Sequence, residues 1–355
     1  MLKHRYNIFT PVLVATALVF IIVGSWGAGK IAASAAGESG LVPDKALRVA
    51  ICENLGISPA DLDVAQLEKV TTLTEWYAGI TDLTGLEYCV NLEYLNLDHN
   101  NIRDLSPLCN LYRLHTLSAD MNDIGDLSPL FVMTGLNGLS LCGNRISDLM
   151  PLAGLDNLVA LDISCNKIED ISPLSAIIGL EYLEARDNEI SDLSPLAGLE
   201  SLERLNISGN YIEDLSPLKT CIALETLHCR HNVITDISPL AELKVLDILY
   251  LDYNRIVDIS PLAGASALRC LSLNANQISD VSILSGLVNL YIVGLEDNLV
   301  RDISPLLANG WQVDCNRSPQ LYLYGNPLDT LSLETVIPRL EEGDVSVFLG
   351  DIIYD

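Results

Sequence analysis

Four consecutive stretches of the sequence concentrate side chains suited to recognition. They carry Tyr182, Glu184 and Arg186, then Arg204 and Asn206, then His228, Arg230 and His231, then Tyr250, Asp252 and Tyr253. Arginine and tyrosine dominate binding hot spots, because each joins a broad face to directed hydrogen bonds. Members of the set recur 22 residues apart, as in Glu184, Asn206, His228 and Tyr250, so one kind of element must present them all. The chemistry this suits is noncovalent: capture of a protein or peptide with an acidic feature, or of a surface polymer. Three of the 17 basic residues beyond position 36 lie here. Pairing within the strip, Arg230 with Asp252 for instance, is the competing use of the same groups. Beside it runs an acidic column, Glu181, Glu203, Glu225 and Asp247, which calls for flanking arginines, a cation or plain solvation.

Other chemistries find little support. His228 and His231 invite a metal, but Cys229 between them occupies a core slot and no third His or Cys is near, so no metal site is expected. The hydroxyls are mostly repeat serines, and neither a Ser/His/Asp set nor a glycine-rich phosphate loop stands out, so neither catalysis nor a cofactor is expected. Asn206-Ile207-Ser208 matches a glycosylation sequon but falls in an expected strand. The net charge of −27 makes nucleic acid and anionic membrane poor partners for the bulk surface. Nine cysteines sit in unrelated phases. They read as mostly reduced thiols, with Cys142 and Cys165, on neighbouring coils, the one spacing that could pair.

The elements that must position the strip follow from a 22-residue unit, seen cleanly at Ile190–Tyr211 (ISDLSPLAGLESLERLNISGNY). Asparagine recurs at that step ten times from Asn100 to Asn298, and aspartate eleven times from Asp82 to Asp302. Within a unit two periods alternate. Ile102, Leu105, Leu108, Leu111 and Leu114 fall every third residue, the repeat of a 3₁₀ turn, with Asp104 and Ser106 able to cap its first amides. Leu117 and Ala119 then change the period to two, a short strand. Asn122 closes it, an amide able to satisfy backbone groups of adjacent turns. Each unit can bury its leucines only against its neighbours, so the strands must stack into one parallel sheet. The residues between the leucines then face its concave side. The expected strip crosses the fifth to eighth regular coils, between early coils with small groups (Thr116, Ser118, Gly138) and late ones (Ser272, Ala275).

Residues 1–36 are expected to be a signal peptide, from the basic Lys3, His4 and Arg5, the apolar Val12–Val23 and the cleavage-like Ala33-Ser34-Ala35. An uncleaved anchor through Ile8–Trp26 is the alternative, and either puts the repeats outside the cytoplasm, secreted or at the cell surface. Residues 37–79 read as a helical cap with a degenerate first coil, where Glu75 and Ala78 replace a leucine and the asparagine. Leu47, Ile51 and Leu55 mark one helix and about Asp61–Val70 a second. Residues 80–317 are the repeats. Residues 318–355 close the array with a coil around Asn326, a helix over Ser332–Gly343 and a strand over Val345–Phe348.

The motif L-x-x-L-x-L-x-x-N, present as Leu202, Leu205, Ile207 and Asn210, and the Ile212–Leu218 segment resemble the leucine-rich repeat family in its 22-residue internalin-like class. The resemblance covers about Leu41 onward. It implies an α/β fold: a right-handed solenoid, or horseshoe, with a parallel concave sheet and convex 3₁₀ segments, binding proteins through the concave face as a monomer. Unlike the better-known surface internalins, the chain is expected to carry neither an immunoglobulin-like module after the repeats nor a wall anchor. A cell-envelope scaffold without one specific ligand is the alternative function.

Overall fold

The computed structural model describes residues 40–309, 311 and 318–350. The expected signal or anchor segment therefore lies outside the described residues. Among those described, no helix is long and apolar enough to cross a membrane.

The first helix, α1 (Lys45–Leu55), begins where Asp44 can cap it. Asp44 Oδ1 accepts from Ala46 N at 2.9 Å and Leu47 N at 3.1 Å. Its other oxygen accepts from Thr81 N at 2.9 Å, tying the helix to the first regular coil. Gly56, at φ 66°, ends the helix in the left-handed region that a side chain would strain. Leu47 and Ile51 turn inward and close the end of the core. The second expected helix is shorter and broken: a 3₁₀ turn at Pro59–Asp61, then α2 (Val64–Leu67). Leu62 is extended, and Asp63 starts a fresh helix by accepting from Gln66 N at 2.8 Å.

Among the described residues, thirteen strands form one parallel sheet in strict sequence order. It opens with β1 (Thr72–Thr74), covered on its free side by Asn54, whose Nδ2 donates to Thr72 O at 2.9 Å. Then β2 (Tyr94–Asn96) through β11 (Ile292–Gly294) follow at the 22-residue step. In the middle lie β6 (Tyr182–Glu184), β7 (Arg204–Asn206), β8 (Thr226–His228) and β9 (Ile248–Tyr250). Their central leucines, Leu183, Leu205, Leu227 and Leu249, pair in register and are buried. The repeat aspartates cap the opposite side as expected. Asp192 Oδ1 accepts from Ser194 N at 2.7 Å and Oδ2 from Ser194 Oγ at 2.8 Å.

The asparagine ladder is internal and saturated. Asn210 Nδ2 donates to Ile207 O and Ala185 O, both at 3.0 Å, and its Oδ1 accepts from Ile190 N at 3.0 Å. One side chain thus bonds its own coil and the preceding one. The residue before each ladder asparagine takes a left-handed conformation, φ 56° at His99 and 52° at His231, with Gly209 there at 69°. Only glycine adopts this without cost.

The last coil is longer, yet β12 (Gln320–Tyr322) still pairs with β11, and Asn326 Oδ1 accepts from Val300 N at 3.0 Å. The closing helix opens as a π turn, Ser332–Val336, before α3 (Ile337–Glu342). Pro338 has no N–H to donate, and the wider turn sits just ahead of it. The final strand, β13 (Ser346–Phe348), pairs with β12.

Candidate functional site

Each strand buries its central leucine and turns its first and third residues to the open face of the sheet. Register therefore aligns Glu184, Asn206, His228 and Tyr250 in one row, and Tyr182, Arg204, Thr226 and Ile248 in another. Arg186, Arg230 and Asp252 follow two residues beyond their strands.

The rows interlock. Asn206 Nδ2 donates to Glu184 Oε2 at 2.7 Å, and the Arg204 guanidinium lies 5.6 Å from the Tyr182 ring centroid. His228 stacks on Tyr250 with centroids 4.6 Å apart, and the Arg230 guanidinium sits 4.1 Å from the centre of that same ring. Arg230 Nε is 2.7 Å from Asp252 Oδ2, with the two side chains 18% and 0% exposed. Asp252 Oδ1 also accepts from Ser272 Oγ and, at 2.9 Å, from Asn274 N. The internal pairing weighed from the sequence is present, and it fixes Arg230 in place over Tyr250.

His231 and Tyr253 lie three residues beyond the ends of β8 and β9 in the left-handed conformation that precedes a ladder asparagine, and they stack on each other 4.2 Å apart. The two histidines thus go to different tyrosines. Arg186 reaches Asp187 at 3.3 Å. Of the acidic column, Asp247 is bridged by Arg269, whose Nε is 2.6 Å from Oδ1, and Glu203 accepts from Tyr182 OH at 3.1 Å. Cys229 is fully buried, and Cys142 and Cys165 remain free thiols.

Burial sets the charge states. It pushes His228 down to about 4, helped by Arg230 and Arg204, so the ring is neutral at physiological pH and serves as a stacking face. Burial also pushes Glu184 up to about 7, aided by Asp162 and opposed by Asn206, Arg186 and Arg204. A raised carboxyl favours the protonated folded state. Its contribution therefore costs stability above about pH 7, and that cost disappears as pH falls toward its ordinary 4.5. As pH falls from 7.5 to 5.5 the urea midpoint of the unaltered chain is expected to rise, and Glu184→Gln is expected to flatten part of that rise. Parallel pH profiles for the two proteins would refute this.

In the first coils Trp76 and Tyr77 lie with ring centroids 5.7 Å apart, Tyr77 and His99 stack 4.1 Å apart, and Met121 takes the same left-handed position one coil on. The degenerate first coil hid them, because Ala78 replaces the asparagine that marks the phase. Counting back 22 residues from His99 would have found Tyr77.

The family model described as leucine-rich repeats (2 copies) matches residues 90–131, 134–176, 178–220 and 222–264. Among solved structures, an internalin (InlF) from Listeria monocytogenes strain 4b F2365 is 35% identical. The match covers 88% of this chain and 92% of that one, with a TM-score of 0.82. Internalin C2 of the same strain is 33% identical over 68% of this chain and 95% of its own, at a TM-score of 0.52. The functional domain of InlJ from Listeria monocytogenes is 21% identical over 88% of this chain and 70% of its own, with a TM-score of 0.71, a likeness of fold. No curated protein matches the chain.

Proposed function

The chain belongs to the internalin-like leucine-rich repeat proteins, and from that premise we propose that it is an exported module that binds another protein through the β6–β9 strip. The observation that carries this is the Arg230 arrangement. A guanidinium clamped by a buried aspartate and laid on a tyrosine has given up its rotamer freedom before any ligand arrives. Arg204 on β7, its guanidinium 5.6 Å from the ring of Tyr182 on β6, adds a second Arg–Tyr pair to the same face. A scaffold that only spaces its neighbours has no use for two ordered Arg–Tyr pairs on an open face. The ligand such a face suits offers a carboxylate and an apolar surface together, since arginine supplies the charge and tyrosine the area. Export rests on the N-terminal sequence pattern alone, and fractionation of expressing cells tests it.

For the strip, the partner is first identified by affinity capture with the purified protein. Arg204→Ala, Arg230→Met and Tyr250→Ala are then combined. Affinity is expected to fall about a hundredfold or more, the scale of losing several hot-spot residues at once. Retention of full affinity by this variant would end the proposal.

A further inference from the structure

We infer that the first three coils form a second recognition surface, for a basic segment of another protein. Trp76 and Tyr77 are 63% and 66% exposed, and Met121, two coils beyond Tyr77 at the same repeat position, is 45% exposed. Trp76 and Tyr77 contact each other with centroids 5.7 Å apart, and Tyr77 stacks on His99. Tyr77 N donates to Asp98 O at 3.2 Å, and the β1–β2 register carries Trp76 alongside Asp98. The cluster is thus held by the backbone ladder.

The carboxylates beside it give the partner its charge. Asp98 Oδ1 accepts from Ser118 Oγ at 2.6 Å and Asp120 N at 2.8 Å, and its Oδ2 from Asn96 Nδ2 at 2.8 Å. Asp120 Oδ1 accepts from Ser140 Oγ at 2.7 Å and Cys142 N at 2.8 Å. Some other acids meet a cation: Asp252 has Arg230, Asp247 has Arg269, and Asp123 has Arg103 and Arg145. Among the described residues no ion pair compensates Asp98 or Asp120. A wholly apolar partner would cover these carboxylates unpaired, and an acidic one would be repelled. A lysine or arginine side chain meets both demands, its cation on a carboxylate and its face or stem on Trp76 and Tyr77. This preference is opposite to that of the β6–β9 strip and uses none of its residues, so either surface can fail without the other.

The test measures binding of a fluorescent tetra-arginine peptide by anisotropy. Wild type is compared with Trp76→Ala/Tyr77→Asn, with Asp120→Asn, and with Glu189→Gln/Glu213→Gln, which removes exposed charge elsewhere. Asparagine is chosen at position 77 because it tolerates the left-handed backbone there, φ 54°. Saturable binding is expected, weakened about tenfold by either of the first two variants and unchanged by the third. Circular dichroism of each variant excludes misfolding as the cause. No saturable binding by wild type, undiminished binding by Trp76→Ala/Tyr77→Asn, or an equal loss in the glutamate control would overturn the inference.

Discussion

Replacing Asn210 by alanine is expected to lower the unfolding free energy by ~3–5 kcal/mol, on the scale of leaving several buried polar groups unpaired. The amide is 5% exposed and serves Ile207 O, Ala185 O and Ile190 N at once. Its loss strands groups in two coils, with no room for water to replace a side chain stacked inside a ladder. Because stability in a repeat array passes through interfaces between neighbours, the damage falls where the array has no alternative support. The measurement is urea unfolding of Asn210→Ala beside Asn326→Ala. The latter side chain is partly exposed in the last coil and is expected to cost about 1 kcal/mol. Equal losses at the two positions would show that the ladder is not the cause.

Asp252→Ala is expected to cost a similar ~3–5 kcal/mol, the range for removing one partner of a buried ion pair. Asp252 is fully buried and takes up Arg230, Ser272 and Asn274 N together. Without it the Arg230 guanidinium keeps its burial and loses its counter-charge. The double replacement Arg230→Met/Asp252→Leu is expected to recover most of the loss, because no uncompensated charge remains. A double-mutant cycle by chemical denaturation reads the coupling, and additive losses would refute the pairing. The same variants separate stability from recognition. Arg230→Met/Asp252→Leu should fold well and still bind poorly, since the ordered cation over Tyr250 is gone.

Most of the architecture was legible because the repeat is redundant. A leucine at position 205 is ambiguous alone, but in phase with Leu183, Leu227 and Leu249 it can only be a core residue of a stacked strand. The asparagine ladder and aspartate caps were readable for the same reason. Legibility failed where the repeat failed. The helix expected over Asp61–Val70 broke because Asp63 caps a fresh start, and a lone capping residue outside any phase is easily read as a helix interior. Trp76 and Tyr77 were passed over in a coil without its marker asparagine. Periodicity places His231 and Tyr253 one residue past Arg230 and Asp252, but their stacking on each other follows from a left-handed backbone that spacing alone does not reveal.

The sequence by itself determined which residues lie inside and which repeat position each exposed residue occupies, because burial of leucine every coil leaves only one consistent stacking. It also marked the mid-array strip as chemically distinct. Tertiary structure alone decided how those side chains use one another: Arg230 on Tyr250 and against Asp252, Asn206 on Glu184, His228 stacked and neutral. These contacts join residues 20 to 22 positions apart across strands, and their geometry depends on rotamers and burial. Composition fixes neither.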